Sequence, residues 1–311
     1  MYTIYKKFNN TLKQIDNIEK DCWIKVVSPT EKEMDFFTET LDLPRDYFTD
    51  LLDVDEIARF EPEDRSFFIV IRIPVITTRG DEVEYNTIPL GIIIIPDRCI
   101  ITVSYKDNEI IDTFINIKNR IMDTEKRDRS LLQIISRSVS LFITFLKQIR
   151  QQSNMIEKDL ESQPSNDTLV KLFSIEKYLI HFRTSLRTNL VMVDKLRKSK
   201  LFKLNESDED LLDDIIIDFR QAVEMAEIYS KIMNEMMAFF SSIINNNLNT
   251  VMKLLTSITI IIAIPTLISS IYGMNIELPL QHTHYAFFII MGVAAFSAIA
   301  GVLLFIFRKW I

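Results

Sequence analysis

The sequence is short of cysteine, glycine and positive charge, and each shortage excludes something. Its two cysteines, Cys22 and Cys99, are too far apart for a short-spaced metal or redox pair. A disulfide framework is thereby excluded, and the thiols suit a reducing compartment. There are five glycines, and none lies between Gly91 and Gly273. A glycine-rich phosphate loop is absent, and so are a Ser/His/Asp set and a cysteine cluster, which leaves an enzyme without support. Lys and Arg number 36 against 43 Asp and Glu, a net charge of −7; that balance argues against a nucleic-acid partner. The first ten residues, MYTIYKKFNN, hold no apolar run, so no cleavable signal peptide is expected.

Long uncharged runs are present at the other end. Leu254–Ile276 and Tyr285–Phe307 are each 23 residues without a charge. A helix needs about 20 apolar residues to cross a hydrocarbon core, so both predict membrane spans. Lys253 precedes the first, and Arg308 and Lys309 follow the second, while the loop between them carries Glu277 and no Lys or Arg. Positive residues stay inside, so both termini are expected in the cytoplasm of a multi-pass cell-membrane protein.

The pattern before the spans predicts an α+β cytosolic domain followed by long helices and two C-terminal transmembrane helices. Residues 1–125 form the α/β domain, with turn signals at Pro29, Pro44, Pro62, Pro74, Gly80, Pro89, Gly91 and Pro96. Strands are expected at Trp23–Val27, Phe67–Val75, Ile92–Ile95 and Cys99–Ser104, the last two joined by a hairpin turn at Pro96-Asp97. Ser28-Pro29-Thr30-Glu31 reads as a capping box that opens a helix with proline in its first position. Residues 126–206 read as a helical hairpin turning at Gln163-Pro164-Ser165-Asn166. Residues 207–272 read as one stalk helix opened by Ser207 and Asp210, which becomes the first span at about 252–272. Residues 273–284 are the outer loop, 285–307 the second span and 308–311 a basic tail. In the stalk, Ile216, Phe219, Val223, Ala226, Ser230, Met233, Met237, Phe240 and Ile244 repeat by three and four, a heptad seam with one polar member. Packing on another copy and packing on the preceding hairpin both satisfy that seam.

Within the first span, Asn249, Met252, Thr256, Thr259, Ala263, Thr266 and Ser270 share one face, with Leu254, Ile258, Ile261, Ile262 and Leu267 placed elsewhere. Hydroxyls facing lipid are unfavourable, so the stripe must meet protein or water. Small polar residues also serve helix–helix contacts. The alternative is a pore surrounded by several copies, since one chain supplies too few spans. Such a pore has no acidic residue between Lys253 and Ile276. Its oxygens suit a hard cation that keeps its water, as Mg²⁺ does. At the outer end, Gly273 is expected to leave the right-handed helix and present Asn275.

Tyr272-Gly273-Met274-Asn275, followed by a short loop, a second span and a basic tail, resembles the CorA family of divalent-cation transporters. The likeness runs along the whole chain. Leu52–Glu61 is similar to an acidic segment of that family's cytosolic domain, Val251–Thr256 to its first residues in the membrane, and Pro265–Ile268 to the segment before the signature. The resemblance implies a funnel-shaped homopentamer around one central pore, embedded in the bilayer. It implies influx of hydrated divalent cations, chiefly Mg²⁺ with Co²⁺ and Ni²⁺, driven by the membrane potential and gated by intracellular Mg²⁺. Gly273, Met274 and Asn275 become the selectivity filter. Asn249, Met252, Leu255, Thr259, Ala263 and Thr266 line the pore, with Met252 and Leu255 at a hydrophobic constriction.

Two features depart from the family. The outer loop holds one carboxylate, Glu277, and Ala238, Phe239 and Phe240 occupy a stalk region where some members carry a pore-facing aspartate. Glu206–Asp214 is an acidic run that suits a solvated helix start. The family also places regulatory Mg²⁺ on cytosolic acids, for which Asp213 and Asp214 are the candidates here. His282-Thr283-His284 has the spacing of a zinc pair without a third ligand. Zinc transport and a membrane-tethered structural or sensor protein remain the alternatives.

Overall fold

The structure, a computed structural model, describes residues 1–8, 11–63, 65–80, 82–116, 122–162, 166–202, 204–276, 278–279, 283–308 and 310. It divides into two compact units, Met1–Met236 and Met237–Ile311. The expected turn at Gln163-Pro164-Ser165, and Glu277, His282 and Lys309, lie outside the described residues.

The first unit is built on a sheet of seven strands: β1 Tyr2–Phe8, β2 Thr11–Ile15, β3 Cys22–Val27, β4 Arg59–Pro62, β5 Phe67–Arg79, β6 Glu82–Ile95 and β7 Cys99–Ser104. Their order is β2-β1-β3-β7-β6-β5-β4. β3 and β7 run parallel, with Cys22 opposite Cys99, and the other pairs are antiparallel. Every residue of β7 is buried, as a central strand covered on both faces requires. Three helices attend the sheet, α1 Glu31–Leu41, α2 Asp46–Thr49 and α3 Glu109–Asn116. Phe37, Phe48, Leu51 and Phe68 fill the space between the first two and the strands.

In the α/β part the sequence expectation needs correcting at three places. Ser28 is left-handed at φ 43°, and Thr30 is the residue that caps α1, in a capping box with Glu33. β1, β2 and β4 were not expected. Pro74, Pro89 and Gly91, read as turn signals, lie inside β5 and β6. The ladder explains the prolines. Arg72 faces Pro89 and Thr87 faces Pro74, and the Arg72 backbone turns outward to Asn189 instead of bonding to β6. Both prolines therefore sit in non-hydrogen-bonded pairs, where a missing N–H leaves the ladder intact. Gly91 is a close-approach glycine, since a Cβ there would stand 2.0 Å from Leu51 Cδ1.

The hairpin is α4 Arg127–Ser162 and α5 Asn166–Ser199. α4 is long and apolar enough to span a membrane, but its apolar window is 61% buried, so it is a core helix. The stalk helix, α6, runs Glu206–Tyr272, 67 residues, or roughly 100 Å at 1.5 Å per residue. Its cap is Asn205, whose Oδ1 accepts from Asp208 N–H at 2.9 Å, and not Ser207 as expected. Within the first unit the seam residues Ile216, Phe219, Ala226, Ser230 and Met233 are buried. The hairpin meets them, with Ser153 Oγ 3.4 Å from Met233 Sδ and Ser230 Oγ 2.7 Å from Glu176 Oε1. This chain's own hairpin thus occupies that part of the seam.

The second unit contains the remainder of α6 and α7, Ala286–Phe307. Ser257 is buried, Ile261, Pro265 and Ile268 are partly covered, and Ile261 Cγ1 lies 3.5 Å from where a Gly301 Cβ would stand. These residues recur every three or four positions, so one face of α6 turns toward α7. Beyond α7, Trp310 stacks on Phe305 with ring centroids 5.6 Å apart.

Candidate functional site

The opposite face of α6 carries the candidate site. Counting 3.6 residues per turn, Thr259, Ala263, Thr266 and Ser270 lie across the helix from Ser257, Ile261 and Ile268. They line an open groove of about 580 Å³ together with Ile258, Ile262 and Leu267. Those three apolar residues, expected away from the stripe, form the groove's walls. Asn249, Met252 and Leu255 continue on this side below the groove, and all of these stripe residues are exposed in the single chain.

The hydroxyl geometry sets what the stripe offers. Thr259 Oγ1 donates to Leu255 O at 2.8 Å, and Thr266 Oγ1 donates to Ile262 O at 2.7 Å. Each proton is thus used within the helix, and the oxygen lone pairs face outward. A face of this kind accepts hydrogen bonds, as from water held by a cation, and bears no charge.

At the outer end, Gly273 N–H donates to the Ser269 and Ser270 carbonyls at 3.0 and 3.2 Å, and Met274 N–H to Ile271 O at 3.2 Å. The helix therefore ends by tightening. Gly273 is not left-handed, and a Cβ there would be in ordinary contact, 3.5 Å from the same two carbonyls. The expected use of its backbone freedom is thus not what ends the helix. Asn275 stands exposed beyond this turn, and Tyr272 Oη donates to Pro279 O at 3.3 Å, closing the start of the loop onto its later part.

The acidic run at the start of α6 divides into separate contacts. Asp208 pairs with Arg129 at 2.7 Å, and Asp213 with Arg197 at 3.3 Å. Asp214 is exposed. Among the described residues no group of three His, Cys, Asp or Glu side chains is placed to hold a metal, so Asp213 and Asp214 make no such group within one chain. His284 is exposed at the foot of α7.

Fold and face together define a class: a membrane protein with two C-terminal spans, one of them bearing an uncharged oxygen stripe. The apolar windows of α6 and α7 are only 6% and 11% buried within the chain, as lipid-facing helices require. The family model described as CorA-like Mg²⁺ transporter protein matches residues 19–309, and the chain belongs to that family. It is a family of transporters and not of enzymes. The cobalt/magnesium transport protein CorA of Methanocaldococcus jannaschii is 26% identical, over 93% of this chain and 91% of that protein. The magnesium transport protein CorA of Helicobacter pylori is 23% identical, over 100% of this chain and 97% of that protein. The complete structure of the CorA magnesium transporter from Methanocaldococcus jannaschii has the same fold, with a TM-score of 0.86 at 23% identity, covering 100% of this chain and 99% of that one.

Proposed function

We propose that this protein carries hydrated divalent cations, chiefly Mg²⁺, into the cell through a pore surrounded by copies of α6. One observation carries the reading. α7 turns toward one face of α6, and the oxygen stripe on the other face is left uncovered by its own chain. Oxygens exposed to hydrocarbon are unfavourable, so further copies of the helix enclose the stripe around water. A homopentamer is the number that the family resemblance implies.

In this reading Asn275 receives the hydrated ion at the outer end, with Gly273 and Met274 completing the filter. Thr266, Ala263 and Thr259 pass it inward to Met252 and Leu255, and Asn249 lies beneath. Rings of Met252 and Leu255, each 57% exposed in one chain, close the path by excluding water. Asp213 and Asp214 bind regulatory Mg²⁺ between neighbouring copies, where the metal offsets acidic repulsion. Both termini are cytoplasmic, and a divalent ion crossing 100 mV gains about 4.6 kcal/mol, so the potential alone drives entry.

Uptake by the purified protein in liposomes, with Mg²⁺, Co²⁺ and Zn²⁺ in competition, tests this function. Potential-dependent Mg²⁺ entry is expected, reduced by Co²⁺. Entry of Zn²⁺ in preference to Mg²⁺ would make it a zinc transporter. A monomer that passes no ion would leave a membrane-tethered sensor or structural protein.

A further inference from the structure

The stretch of α6 below the constriction is unusual for a helix. Asn245, Asn246, Asn247 and Asn249 fall within five residues of the helix interior. Asparagine is less favourable there than alanine by about half a kcal/mol per residue, because its amide competes for the backbone. All four are exposed, and among the described residues none of their side chains is hydrogen-bonded within the chain. Local conflicts of this kind mark functional positions. Acids are also missing: from Met236 to Ile276 the one charged residue is Lys253.

Helical spacing separates the four amides. At 3.6 residues per turn, Ser242, Asn245, Asn249, Met252 and Thr256 share one narrow sector, and Asn247 points to the far side of the helix. Asn245 lies within that sector, about two turns below Met252 and about 20° from it around the helix.

We propose that Asn245 is a second amide acceptor beneath Asn249, so that the cytoplasmic mouth holds the cation's water on uncharged oxygens. The proposal rests on the pore reading above. A water bound to a divalent cation donates strongly, and an amide Oδ1 accepts without stripping the ion of its shell. A carboxylate at this level would hold the ion more tightly. Neutral amides give binding weak enough for release, which conduction requires.

Mg²⁺ uptake by full-length variants in liposomes tests the assignment. Asn245→Leu is expected to lower uptake about tenfold, the loss of roughly one hydrogen bond to a charge-bearing partner, with the oligomer unchanged by size. Asn247→Leu, the same change off the sector, is expected to transport like wild type. Asn245→Asp, which keeps the oxygen and adds charge, is expected to lower the half-saturating Mg²⁺ concentration and also the maximal uptake, because the more tightly held ion leaves more slowly. Wild-type uptake by Asn245→Leu, or an equal fall in Asn247→Leu, would overturn the proposal and leave the pore reading standing. If Asn245→Leu fails to assemble, Asn245→Ala decides by the same criterion. Wild-type protein that passes no ion would overturn both readings.

Discussion

Ser230, the polar member of the stalk seam, donates its hydroxyl to Glu176 Oε1 at 2.7 Å, and Asn234 Nδ2 donates to the same oxygen at 3.0 Å. The carboxylate on α5 is buried, and both hydrogen bonds come from α6. What interrupts the heptad pattern is thus the polar anchor between hairpin and stalk.

Ser230→Ala is expected to lower the unfolding midpoint of the full-length protein by the equivalent of about 1–3 kcal/mol, because it removes a donor from a buried acceptor. Removing both partners, as in Ser230→Ala with Glu176→Leu, is expected to cost less than the sum of the single changes. Additive losses in a double-mutant cycle would mean that the contact is not an anchor.

Asn275→Ala is expected to abolish uptake and leave assembly intact. The side chain is exposed past the end of α6, so little packing is lost with it. Sizing and liposome flux on the same preparation make the test. Normal flux through a normally assembled variant would remove Asn275 from the filter.

Met252→Ser is expected to wet the constriction and raise flux at high internal Mg²⁺. Phe240 is 1% exposed, and Phe240→Ser is expected to reduce the yield of assembled protein by deleting a buried ring, at about 3–5 kcal/mol. If Met252→Ser conducts like wild type and Phe240→Ser opens the channel, the gate lies in the stalk.

Burial, together with the charge of Asp214 one turn earlier, pushes the Asp218 carboxyl above the ordinary carboxylate range. The folded chain therefore holds this proton more tightly than the unfolded chain does. Ionisation opposes folding, with no penalty below about pH 4 and the full penalty once pH exceeds the raised folded value. Asp218→Asn is expected to raise the unfolding midpoint at about pH 7 and to leave it unchanged at about pH 3. Thermal unfolding at the two pH values distinguishes this from general stabilisation, which would raise both midpoints.

The helical half of the fold was legible because its signals are long. The stalk begins one residue before its expected start and ends at Tyr272 as read, and both apolar runs form helices. The sheet was less legible. β1 is mostly half-buried and β2 mostly exposed, and Lys6, Lys7 and Lys13 interrupt them, so they lack the apolar alternation that announces a strand. Pro74 and Pro89 were misread because their tolerance depends on which way each backbone amide faces, and pairing decides that. In the site, the stripe was visible as spacing alone. The groove walls Ile258, Ile262 and Leu267 were not, because a wheel sorts residues by polarity while a groove needs sides. Gly273 invited a left-handed turn that the helix end does not make.

The outward amides along β5 and β6 have a consequence for how copies of this chain can associate. A long two-stranded ribbon ordinarily offers its open margins to any passing strand. Here one margin has Pro74 without a donor and Arg72 already bonded to Asn189 at 2.8 and 2.7 Å. The other has Pro89 without a donor and Thr87 N–H held by Asn86 Oδ1 at 2.8 Å. Strand addition is discouraged along both margins. That blocks an aggregation route along the ribbon and leaves β2 and β4 as the open edges of the sheet.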